Sequence, residues 1–169
     1  MIFADDQLQI LPYNRVVRDL NGLTPEGFLA RVREKFSVSE KGPASPRQRG
    51  EWSMYLEGKW YGLALQNEAS RSAGVVESLD VRVLQDRLLD PILGIKDVRT
   101  DKRIDFVGGI RGTEELEKLV SDRKAAVAFS LFATTIDDLL CVSDAGEIMP
   151  PKSTWFEPKL RDGLFVLGR

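Results

Sequence analysis

The 169-residue chain contains no histidine and a single cysteine, Cys141. Without an imidazole it has no serine or cysteine triad of the usual kind, no histidine-ligated zinc site and no histidine proton shuttle. One thiol excludes an internal disulfide and a thiolate zinc centre. Long apolar runs are missing too: the longest, Ala125–Ala133, is broken by Ser130 and falls well short of the roughly 18 residues a membrane-spanning helix needs. There is no excess of positive charge. Lys and Arg number 24 against 26 Asp and Glu, a net charge of −2, which is the wrong sign for general nucleic-acid binding. Met1–Ile10 has neither the basic start nor the apolar stretch of a signal peptide, so the expected compartment is the cytoplasm. What remains is chemistry by carboxylate, lysine, tyrosine or backbone groups, or by a hard cation held through oxygen.

The composition, 43% hydrophobic and 30% charged, is that of a globular chain, and its length suits one domain spanning 1–169. Ile2 and Phe3, a turn at Asp5-Asp6, and Leu8 and Ile10 alternating with Gln7 and Gln9 read as a hairpin with a very short first arm. That shortness points to partner sequence upstream of Met1. The strand runs on through Leu11–Val17, where Pro12 predicts an edge position or a bulge. Thr24 and Pro25 open a helix with Phe28, Leu29, Val32 and Phe36 as its apolar stripe. Lys41–Gly50 holds Lys41, Arg47, Arg49, two prolines and no acid, a surface loop able to touch an anion.

Glu57-Gly58 reads as a two-residue hairpin turn that sets Leu56 against Lys59, Met54 against Tyr61 and Trp52 against Leu63, with Tyr55 and Trp60 paired on the other face. Ser78 is expected to cap a helix carrying Val81, Leu84 and Leu88, which stops near Pro91 or Gly94. A strand at Ile104–Val107, a glycine turn, a helix opened by Thr113, a core strand within Ala125–Phe132 and a helix capped by Thr135 follow, with a last strand near Leu164–Leu167. The order ββαββαβαβαβ predicts an α+β (mixed α/β) fold, a single sheet with about four helices mainly on one face.

Three stretches concentrate chemistry. Gly108-Gly109-Ile110-Arg111-Gly112 joins a strand to a helix N-terminus, the parts of a phosphate cradle with Arg111 as a clamp. Its spacing matches neither the dinucleotide fingerprint nor the P-loop, and Glu114 and Glu115 already complement the helix dipole. Just before it, Asp101, Arg103 and Asp105 share one side if that segment is extended. They could hold a hydroxylated substrate, or Mg²⁺ with a phosphate. The third stretch, Met149–Lys159, fixes Lys152, Ser153 and Thr154 on a stiff proline-punctuated segment that either recognises an anion or straps the sheet.

Leu11–Val17 (LPYNRVV), Thr100–Gly109 (TDKRIDFVGG) and Met149–Lys159 (MPPKSTWFEPK) resemble the C-terminal part of a prokaryotic family labelled domain of unknown function 1015. The resemblance implies a longer protein whose upstream Asp-Gly-His-His-Arg motif is similar to the active-site region of the ParB/sulfiredoxin-like superfamily, which includes partition proteins and a free-serine kinase. No histidine is present here to match that motif, so the family's catalytic residues do not carry over. The expected function is therefore a module contacting a phosphate, nucleotide or substrate, not a complete catalyst. Asp101, Arg103, Gly108, Gly109, Arg111, Lys152, Ser153 and Thr154 are the candidate ligand-binding residues, with Mg²⁺ accompanying a phosphate ligand and no metal site of the chain's own. The alternative is a non-enzymatic module that pairs with itself or an upstream domain through residues 1–17. Neither nucleic acid nor membrane is an expected partner.

Overall fold

The computed structural model describes residues 8–67 and 74–159. The short first arm at Ile2-Phe3 and the strand near Leu164–Leu167 lie outside them. Proline governs the first described element. Pro12 has no N–H to give a ladder, and the expected continuous strand divides there into β1 (Gln9–Leu11) and β2 (Tyr13–Val17), which belong to different sheets. β1 pairs antiparallel with β8 (Trp155–Glu157), Ile10 opposite Phe156. β2 is no edge strand. It lies between β7 (Val127–Leu131) and β6 (Ile104–Gly108) in a six-stranded antiparallel sheet of order β3-β5-β4-β7-β2-β6. Residues 15–17 therefore already pair on both sides.

The helix α1 (Pro25–Arg33) begins as its residues demand: the Thr24 hydroxyl accepts the Gly27 N–H at 3.1 Å, and Pro25 occupies the first turn. Phe28 and Val32 are fully buried, each gaining roughly 2–3 kcal/mol from leaving water. Phe36 does not continue the stripe. It opens an additional strand, β3 (Phe36–Glu40), where Phe36 and Val38 turn inward and Ser37 and Ser39 outward. The hairpin of β4 (Glu51–Leu56) and β5 (Lys59–Leu65) has the expected register throughout, from Leu56–Lys59 to Trp52–Leu63. Glu57 and Gly58 both take positive φ, 47° and 76°, as the mirror-image turn of a tight hairpin requires. The Tyr55 and Trp60 rings lie 5.0 Å apart.

The helix α2 (Asp80–Leu84) runs on as a π-helical turn over Gln85–Leu89. Ser78 does not cap it. Leu79 occupies the N-cap position, while the Ser78 hydroxyl donates to the Val75 carbonyl at 2.9 Å and accepts from Arg49. The two remaining helices are α3 (Glu114–Ser121) and α4 (Ile136–Asp144). Thr135 opens α4 with a capping box, its hydroxyl accepting the Asp138 N–H at 3.1 Å and its own N–H donating to the Asp138 carboxylate at 3.0 Å.

Among the described residues the fold is α+β, a main six-stranded sheet with four α-helices. One face meets α1, α2 and α4 through Val17, Trp52, Met54 and Phe129. The other meets α3, whose Leu116 packs with Val16, Tyr55 and Ala128. The alanine on the outer face of β7 is what lets α3 approach. No helix among the described residues is long and apolar enough to cross a membrane.

Candidate functional site

The glycines at the end of β6 make room for side chains. A Cβ on Gly108 would lie 2.3–2.7 Å from the Trp155 ring, and one on Gly109 would lie 2.7 Å from Pro12 Cδ. The amides of the turn are engaged as well: Gly109 N–H donates to the Pro12 carbonyl at 2.8 Å and Gly112 N–H to the Gly109 carbonyl at 3.0 Å. Glu114, Glu115 and Glu117 fill the first turn of α3, and Arg111 lies 3.8 Å from Glu115. Tyr13 gathers the neighbourhood. It pairs with Gly108, meets Trp155 edge-on at 5.3 Å and lies 5.4 Å below Lys152 Nζ. The structure thus brings Gly108 and Gly109 beside the segment of Lys152. Ser153 is buried, donating its hydroxyl to the Pro150 carbonyl and accepting the Thr134 hydroxyl on its own carbonyl at 3.1 Å. Thr154 is half-buried. This segment straps the β6 turn.

Asp101 and Arg103 lie at the other end of β6. Ile104 pairs with Val17 and Gly108 with Tyr13, so about 13 Å of strand separates them from the glycine turn. Both precede β6, and strand alternation does not align them with Asp105, whose carboxylate accepts the Phe106 N–H at 2.8 Å. Arg103 grips both oxygens of Asp101, at 3.2 and 2.8 Å. It also donates to the carbonyls of Leu93 and Gly94, at 3.0 and 3.1 Å. The hydrogen bonds from Arg103 hold the Asp101 carboxyl below its ordinary range, and the same contact raises Arg103. This clamp ties the chain after α2 to the start of β6. It also steadies the turn in which the Asp101 N–H donates to the Asp97 carbonyl at 3.0 Å.

That turn walls a cavity of about 350 Å³. On its floor is a residue that reading the sequence passed over: Arg15, in the middle of β2 and only 3% exposed. Its Nη1 donates to the Tyr13 carbonyl and its Nη2 to the Lys152 carbonyl at 3.2 Å, while Nε has no partner. The Phe106 ring, 5.6 Å away, is its aromatic neighbour. No carboxylate among the described residues neutralises it. Desolvation lowers its pKa to about 10, which leaves the guanidinium charged at neutral pH. Arg82, Lys96 and Arg99 also line the cavity, against one carboxylate, Asp97. Asp97 is held by Arg99 at 3.1 and 3.2 Å, which lowers its pKa, and Arg82 pairs with Asp86 at 2.9 Å. Gln85, at the first position of the π-helical turn, donates to the Ile95 carbonyl at 2.7 Å and leaves its buried Oε1 without a partner. Such turns recur at functional sites. Pro150 and Pro151 of the strap complete the lining. Chemically, the arrangement is a cationic recess with a spare donor and a spare acceptor. It suits an anion that carries a hydrogen-bonding group. The missed signal was a charged residue at the inward position of β2, between Tyr13 and Val17.

Residues 1–82 match the model of a family described as protein of unknown function (DUF1015). Leu11–Val17 lies within the matched span; the other two motifs lie beyond it. No curated protein matches the chain. Among solved structures, a free serine kinase in complex with AMP superposes with a TM-score of 0.55 at 14% identity, covering 92% of this chain and 56% of that one. A mutant free serine kinase in complex with ADP gives 0.50 at 17% identity over 92% and 56%. A conserved hypothetical protein from Pyrococcus furiosus gives 0.53 at 16% identity over 92% and 59%. At these identities the likeness is one of fold, and the chain spans little more than half the length of these proteins.

Proposed function

We propose that the chain is a phosphate-contacting module, and that the cavity on Arg15 takes the anionic end of a nucleotide or another phosphate-bearing small molecule. One observation carries this reading: a buried guanidinium has only carbonyl partners and opens, with three further cations, onto a cavity. Burying such a charge is costly unless an anion completes it. The AMP and ADP bound to the kinases of similar fold support the choice of ligand class. The lining groups stabilise charge and do not relay protons, so the module supplies binding and electrostatics. In this reading Asp101 and Arg103 position the 97–101 turn, and Lys152 reaches the site through its carbonyl on Arg15.

Isothermal titration with AMP and with ADP, each with and without Mg²⁺ at low salt, tests the proposal. Saturable binding is expected. Lys96→Ala and Arg99→Ala, both of exposed side chains, should each weaken it by roughly tenfold, about 1.4 kcal/mol. No saturable heat up to about 5 mM, or affinities untouched by both substitutions, overturns it.

A further inference from the structure

A second cavity, of about 440 Å³, lies on the α3 face of the sheet, at the β3–β5–β4 end that α3 does not cover. Its floor follows from register. Ser39 pairs with Gly62 and Gly62 with Ser53, while Ser37 pairs with Ala64, so small residues from three adjacent strands share one face. The roof is the 41–50 loop, which contributes Lys41, Arg47 and the prolines Pro43 and Pro46. Pro43 Cδ stands 3.9 Å from where a Cβ of Gly62 would be, so the loop rests on the floor there.

Two features make this more than a gap between small residues. Ser53 is fully buried and lines the cavity, yet its hydroxyl has no hydrogen-bond partner. Buried hydroxyls are nearly always paired, because an unmade bond forfeits the hydration it replaced. Lys41 and Arg47, for their part, have no carboxylate partner among the described residues. The acid beside them, Glu51, is engaged by the Arg47 backbone N–H at 3.1 Å. Cations on the roof and hydroxyls on the floor call for a ligand with a charged group at one end and hydroxyls at the other.

We infer that this cavity is a second binding site, distinct from the one on Arg15, for a small hydroxylated anion. Lys41 and Arg47 take the phosphate or carboxylate, Ser37 and Ser39 meet hydroxyls, and Ser53 gains the partner it lacks.

Titration of the full chain with ribose 5-phosphate and, separately, with gluconate tests this, and shows whether the anion is a phosphate or a carboxylate. Ribose and inorganic phosphate serve as single-feature controls. At least one hydroxylated anion should bind at about millimolar affinity or better. These titrations use a Lys96→Ala parent, in which the Arg15 cavity is weakened, and there Arg47→Ala should weaken the remaining binding about tenfold. Ser53→Ala should also weaken it while leaving the melting temperature equal or higher, because the change removes an unpartnered buried hydroxyl. The proposal fails if neither anion binds, or if ribose or phosphate alone binds as well. It fails equally if Arg47→Ala leaves binding in that parent unchanged, or if Ser53→Ala lowers the melting temperature sharply.

Discussion

Arg103 and Arg15 show how the same side chain takes different roles from its neighbours. Arg103 faces Asp101 in a two-point contact and Asp19 at 3.5 Å, so its charge is answered within the fold. Arg15 meets only carbonyls and a ring, so its charge is open to a ligand. The Asp101 contact has a pH signature. Its carboxyl is held below the ordinary 3.8 by hydrogen bonds from Arg103. The stabilisation is therefore fully present above about pH 3.8 and is lost as pH falls through the lower folded value. Asp101→Asn should lower the melting temperature at neutral pH, and the gap to the parent chain should close as pH drops below 4. A gap that persists at pH 2 would show that Asp101 acts through something other than its charge. Asp101 and Arg103 stand out in the sequence because charge clusters there. Arg15 does not, because one charge acquires meaning only when β2 is seen to be covered on both sides.

Elements built from neighbouring residues were the most legible. The β4–β5 hairpin needs only Glu57-Gly58 and an alternating pattern, and its whole register follows. Phe36 was ambiguous for a physical reason: it stands four residues after Val32, as a helix requires, and two before Val38, as a strand requires. Tertiary pairing of β3 with β5 decides for the strand. The π-helical turn has no local signature at all, since its hydrogen bonds depend on where Leu88 and Leu89 must bury. The glycine turn could be located in sequence but not interpreted, because the reason for Gly108 is Trp155, 47 positions on. Gly108→Ala should therefore cost about 1–3 kcal/mol, the range for overpacking, with a red shift of tryptophan emission as the strap lifts. In a Trp155→Ala background the same change should cost less than about 0.5 kcal/mol. Equal costs in both backgrounds would mean that the glycine is needed for its backbone alone.

Across the whole molecule, the sheet is assembled from distant pieces. β2 is the second strand in the chain but lies between β6 and β7, with Arg15 opposite both Phe106 and Phe129. Loops of that length make pairing slow and cooperative. A chain lacking residues 1–17 should lose its single sigmoidal melt by circular dichroism, since β6 and β7 would have no strand between them. A cooperative melt in the shortened chain would refute a central role for β2. No local pattern reveals this order, because Pro12 invites an edge assignment and only the partners of β2 correct it. One guanidinium also links three parts of the molecule, because Arg15 reaches its own strand, the strap at Lys152 and the cavity. Linkage then imposes a reciprocity. If seating the strap strengthens the hold of Arg15 on an anion by some factor, that anion must fasten the strap to the sheet by the same factor. Occupancy of the cavity and closure of the C-terminal segment are then two readings of one equilibrium.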